Sequence, residues 1–389
     1  MKGPAIKLKR LRGAGLLFGI LGLVFCCVGY VFDRRPFYVS YLFAFTFWIS
    51  LSLGCFYLGM IHYLTGGKWG FPARRIVEAG YMTLPLMMVL VVPIFFGLRE
   101  LYPWARPSLL LTDKILRHRA AYENPTLFIA RSAVFLGFWV LVSWLLRRWS
   151  LQQDSRGHPA PTIKMRKLSG PCVMAVPLSA SFAFVDWAMT VEPDWYSTIF
   201  PVIQLAGQLL MATAFVIVLL AWFRNDAPFC EFGMKPFHDL GSLLLAFVLF
   251  WSYVAFSQIL LIYSANLPHE ISWYLHRIAN DWVWLLGLIA LFHFFLPFIV
   301  LLFRGVKLRI PILAVVALFV FAIHSVETFW VVAPAFYSSF EVHWTDFAAW
   351  FGVGGFWVAL FAGNLSRHPL LALNDPRAQV LVPEAAHAK

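Results

Sequence analysis

Apolar residues run almost unbroken through ten stretches between Ala14 and Gly363, separated by segments that collect most of the charges. Each stretch is about 19 to 25 residues long, enough for a helix to cross a hydrocarbon core of about 30 Å. The pattern predicts ten transmembrane helices, over residues 14–32, 41–64, 79–98, 127–146, 172–191, 199–222, 240–264, 282–303, 310–332 and 344–363. The expected fold class is an all-α integral membrane protein. Two stretches share an ending: Asp186 precedes Pro193, Trp195, Tyr196 and Ser197 at the same spacing as Glu327 precedes Pro334, Phe336, Tyr337 and Ser338. The recurrence implies duplication. Helices two to five (41–191) and six to nine (199–332) are read as two four-helix bundles in parallel repeat, with helices one and ten flanking them.

Composition narrows the class. At 61% hydrophobic and 13% charged residues, with mean hydropathy +0.74, the chain has too little polar surface for a water-soluble globule. No connection exceeds 28 residues, so an extramembrane catalytic centre would belong to a partner chain. Residues 1–363 read as one transmembrane domain and 364–389 as a cytoplasmic tail, expected to be loosely ordered after Arg367. The net charge of +12 is unevenly placed: 22 of the Lys and Arg residues fall on the side of the termini and 8 on the other. By the positive-inside rule both termini are cytoplasmic, and the basic excess reflects orientation rather than nucleic-acid binding.

The first stretch has the basic flank of a secretory leader (Lys7, Lys9, Arg10, Arg12), but it lacks a small-residue cleavage site and runs on into a second span. It reads as a retained helix. Cys26, Cys27, Cys55, Cys172 and Cys230 form no CxxC or CxxCH motif, so neither covalent haem nor an iron-sulfur cluster is expected in this chain. Residues 99–126 are expected to hold a short interfacial helix, and 152–161 a simple polar connection.

Charges inside a membrane are costly and mark proton or ligand handling. His62 and Glu78 bracket a connection that also holds Arg74 and Arg75, and His238 and Asp239 occupy the corresponding place in the second bundle. These pairs read either as headgroup-level polar clusters or as points of proton uptake. Asp186 lies about 22 Å along its helix, and His324 and Glu327 share a helix face. With Gln204, Gln208 and Gln258 they sketch a polar layer toward the outer side, and His293 lies near mid-depth. Asp186 and Glu327 read either as helix locks or as proton-exchanging carboxylates. His293 and His324 carry a further alternative, axial ligation of a b-type haem. Trp187, Trp195, Trp273 and Trp282 read as interfacial belt or as walls of a quinone pocket.

Four strings extend this reading: HYLTGGKWGFPARRIVE (62–78), FAFVDWAMTVEPDWYSTIF (182–200), DLGSLLLAFVLFWSYVAFSQILLIYSANLPHEISW (239–273) and FHFFLPF (292–298). Together they resemble the large membrane subunits of alternative complex III, a bacterial quinol:cytochrome c oxidoreductase, and more distantly the NrfD-like polysulfide reductase membrane subunits. The length, YSTIF and the 62–78 string are more similar to the ActF type. The resemblance implies a ten-helix subunit of the bacterial inner membrane with no redox cofactor of its own. It further implies a quinone (menaquinone or ubiquinone) as substrate of the complex. The implied partners are an iron-sulfur subunit, multihaem and monohaem cytochrome c subunits, and a homologous ActC-like membrane subunit. Haem and iron-sulfur clusters would sit in those partners. Carried onto this sequence, it points to His62, Glu78, Asp186, Asp239, His293 and Glu327 as proton-transfer residues. His324 stands where the family has a basic residue, and its charge is conditional near neutral pH. The competing classes are a stand-alone secondary transporter and a purely structural scaffold subunit.

Overall fold

Local signals set the helix ends. Asp33 accepts a hydrogen bond from the Arg35 amide at 3.2 Å and so caps the second helix. That helix stops at Gly66, whose φ of 66° lies in the left-handed region that glycine adopts without penalty. The computed structural model describes residues 3–156, 159–278, 280–372 and 374–375, and every regular element among them is helical.

Among the described residues, ten helices are long and apolar enough to span a membrane: α1 (Pro4–Phe32), α2 (Arg34–Thr65), α3 (Gly70–Phe96), α4 (Pro125–Ser155), α5 (Ala160–Met189), α6 (Phe200–Phe223), α7 (Lys235–Ala265), α8 (Trp282–Leu302), α9 (Ile310–Ala335) and α10 (Trp344–Ser366). The end of this array that carries residues 3 and 375 is termed the near face, and the opposite end the far face.

The apolar stretch of α2 is buried throughout, and those of α6 and α10 mostly so. Helix α2 packs on α3, α5, α6 and α10; α6 packs on α7 and α9; α4 lies on α5, and α1 lies along α10. Small residues permit the closest crossings, as expected where packing rather than water exclusion joins helices. A Cβ on Gly22 of α1 would fall 2.3 Å from the Gly352 Cα of α10, and one on Gly54 of α2 would fall 2.0 Å from the Gln208 carbonyl oxygen of α6. Large apolar side chains including Val31, Phe96, Met174, Tyr253, Phe256 and Trp284 face outward. An apolar surface of that extent suits lipid and not water.

Several boundaries differ from the sequence expectation. Helix α3 begins at Gly70 rather than at 79, because Arg74, Arg75 and Glu78 neutralise one another and can be buried. Helices α4 and α5 extend into 152–161 from both sides. Several short helical pieces, among them Pro107–Thr112 and Lys114–Arg119, replace the single helix expected in 99–126, with Asp113 capping the latter through the Ile115 amide at 2.8 Å. In the tail expected to be loose, Asp375 is buried and pairs with Arg74 at 2.7 Å. Residues 376–389 of that tail lie outside the described residues.

Candidate functional site

Near the near face, Glu78 is fully buried on α3 and accepts from three guanidinium groups: Arg74 Nε at 2.9 Å, Arg75, and Arg147 from α4. The Tyr63 and Ser150 hydroxyls also donate to it. Arg75 pairs in addition with Asp154, so three arginines face the three carboxylates of Glu78, Asp154 and Asp375. His62 lies at the same end with its ring against Trp69 and Phe71, and a Cβ on Gly70 would fall 1.9 Å from its Nδ1, so the bare glycine makes room for the imidazole. Asp239, beside His238 at 3.7 Å, is partly exposed at the start of α7 and outside this buried cluster.

Asp186 sits toward the far face in a widened turn of α5, where the Thr190 amide bonds the Val185 carbonyl five residues back at 3.0 Å. Such turns re-aim side chains and recur at functional sites. Arg131 of α4 grips both carboxylate oxygens, Nε to Oδ2 at 2.8 Å and an Nη to Oδ1 at 3.0 Å. This bidentate fork fixes orientation as well as charge.

Beyond α5, Glu192 receives the Arg277 guanidinium at 2.6 Å and lies 3.1 Å from His276 Nδ1, both on the short helix Pro268–Ile278. Burial raises the Glu192 carboxyl, but Arg277 and His276 outweigh it and hold the group below its ordinary range. The Glu192 hydrogen bond is the main cause that raises His276. Arg277 itself is buried, stacks 3.7 Å over the Trp273 ring, and donates to the Val331 carbonyl of α9 at 2.6 Å. It therefore ties the exit of α5 to the far end of α9.

Glu327 anchors the third cluster. Trp251 Nε1 of α7 donates to it at 3.0 Å, and His324 Nδ1 lies 2.6 Å from its other oxygen. His293 of α8 stacks on His324 with centroids 5.4 Å apart and meets Trp251 edge-on at 4.3 Å. Its two ring nitrogens have no hydrogen-bond partner among the described residues. Pro297 explains why His293 lies in a widened turn, Ala290–Phe295: its ring would clash with the carbonyl four residues earlier in a regular helix. Gly207 of α6 gives His324 its space, since a Cβ there would fall 2.6 Å from the imidazole.

Glu327 and Trp251 border a cavity of about 410 Å³ between α6, α7, α8 and α9, walled by Phe200, Ile203, Trp273, Phe294 and Trp330, with Gln204 and Gln258 supplying polar edges. Its size and mostly apolar wall match small-molecule sites. The donors of His293, His324 and Glu327 lie within 4.8 Å of one another, a residue set that divalent cations accept. His324 Nδ1 approaches Glu327 Oε2 to 2.6 Å, closer than two ligands held apart on one ion.

Of the sequence candidates, His293, His324 and Glu327 come together; Glu78 and His62 lie at the near end; Asp186 stands apart with Arg131, and Asp239 joins none of these buried groups. Sequence reasoning missed Arg131, Arg147, Glu192, Trp251 and Arg277. The signal for Arg131 was its position inside a predicted span.

Helices, lipid-compatible surface and buried charge define an all-helical, multi-pass integral membrane protein. The sequence matches no protein-family model and no curated protein.

Proposed function

We propose that this chain is an integral membrane subunit of a quinol:cytochrome c oxidoreductase of the alternative complex III class, in the bacterial inner membrane with both termini cytoplasmic. In this reading it handles protons, and electrons pass to iron-sulfur and cytochrome c partners. The observation that carries it is Glu327, a buried carboxylate at the edge of an apolar cavity, oriented by Trp251 and backed by His324 and His293. Oxidation of a quinol releases two protons and two electrons. Glu327 is placed to take a proton from a hydroxyl in the cavity, and His324 to receive it. Trp251 holds the carboxylate toward the cavity wall. The resemblance of the four strings supports the substrate class.

The duplicated reading draws support from the packing: α2 and α6 form the centre, each contacts the helix that follows it, and each contacts both carboxylate helices, α5 and α9. The Glu78 cluster then stands at the cytoplasmic end, and Asp186 and Glu327 toward the outer side. Interruptions of α3 ahead of Pro85 and Pro93 are the observation that favours a stand-alone transporter instead.

The test uses the protein as purified with whatever travels with it. Quinol-dependent cytochrome c reduction and proton release per electron are measured in proteoliposomes for the wild type and Glu327→Gln. Loss of a proton acceptor predicts a rate at least about a hundredfold lower with assembly intact. An unchanged rate and ratio would reduce Glu327 to a structural role. Solute exchange by the chain purified alone would overturn the subunit reading altogether.

A further inference from the structure

The near face carries a second, chemically different cavity, of about 350 Å³, between α3, α4 and α10. It is lined by Arg147, Arg148, Arg367, His368, Asn364 and Trp144. We propose that this cavity binds the phosphodiester headgroup of an anionic phospholipid.

Charge balance is the first argument. Arg147 and Arg148 are adjacent on α4, so their side chains leave the helix about 100° apart. Arg147 turns inward to Glu78, where three carboxylates already match three guanidinium groups. Arg148 stays outside, with its guanidinium 5.2 Å from the Trp144 ring centroid. Arg148 and Arg367 are exposed, and neither has a carboxylate in ion-pair reach among the described residues. Two uncompensated cations therefore frame the cavity mouth.

The second argument decides between a lipid and a dissolved anion. Val134, Leu141, Trp144 and Arg148 follow one another at seven-, three- and four-residue spacings, placing them on one face of α4. Val134, Leu141 and Trp144 are 66%, 55% and 46% exposed. An apolar strip thus descends from the cavity along the outside of the helix, with a tryptophan at the level where belt residues sit. A headgroup on the arginines would lay its acyl chain along that strip; inorganic phosphate has no use for it. Basic pockets at helix ends are a known form of headgroup recognition. The argument is independent of the quinol reading.

The experiment uses the full chain, delipidated in detergent, with binding followed by native mass spectrometry and by thermal unfolding. The probes are short-chain phosphatidylglycerol, short-chain phosphatidylcholine and sodium phosphate, against wild type and the double variant Arg148→Gln/Arg367→Gln. Both substituted side chains are exposed, and the unfolding midpoint without lipid checks that the variant is folded. Phosphatidylglycerol should bind and raise the midpoint, with affinity at least about tenfold weaker in the variant. Equal binding of phosphatidylcholine, or undiminished phosphatidylglycerol binding by the variant, would overturn the proposal. Stabilisation by phosphate alone to the same degree would make this a soluble-anion site and overturn it equally. Should the variant fail to fold, the lipid selectivity of the wild type decides.

Discussion

Glu78 is one carboxylate facing three buried guanidinium groups, and its removal strands like charges in a low-dielectric interior. Glu78→Gln is therefore expected to lower stability by about 3–5 kcal/mol, seen as a fall in the unfolding midpoint or in accumulated protein; a change within error would show that water reaches the cluster. At Glu192 the effect is subtler. His276 is raised by its Glu192 bond, so its contribution is fully present below its unfolded pKa of about 6.5 and is lost as pH rises through the higher folded value. Because its side chain is 60% exposed, the contribution is a weak, salt-screened one. The measurement is the unfolding midpoint across pH 6 to 9: wild type should lose a small increment that His276→Ala lacks. Composition and spacing made the carboxylates legible, since a lone acid in an apolar stretch is visible in a string of letters. Their partners were not, because Arg131 is 55 residues from Asp186 and Trp251 is 76 from Glu327.

Among the elements, α1 is the least embedded of the helices that touch α10, and glycines govern the contact. Gly15, Gly19 and Gly22 face backbone atoms of Gly355, Phe356 and Gly352 at 3.0 Å or less from a hypothetical Cβ. Gly22→Leu is expected to force α1 away from α10, at a cost of at least about 1–3 kcal/mol. A cysteine pair placed across the two helices should then cross-link in the parent and fail in the variant; retained cross-linking would show that the crossing tolerates bulk. The existence of both helices could be read from hydropathy. Their pairing could not, because glycine spacing within one helix names no partner. The widened turn at His293 is intermediate, since Pro297 signals a disturbance four residues upstream without saying which way the imidazole is aimed.

For the whole molecule, the distribution of basic residues predicts an orientation that labelling can check. Cys230 is exposed in the connection between α6 and α7, on the near face. A membrane-impermeant thiol reagent is expected to label it in inside-out vesicles and not in intact cells; labelling in intact cells would reverse the orientation. The sequence by itself determined the ten crossings, the polar residues that interrupt them and the asymmetry of positive charge, because each follows from the transfer free energy of residues close together along the chain. Only the tertiary structure decided that Glu78 is saturated by arginines, that Asp186 is clamped by Arg131, and that Glu327 borders an apolar cavity. Those differences arise from helices far apart in sequence meeting side by side, where the nearest counter-charge or void sets what a buried carboxylate can do.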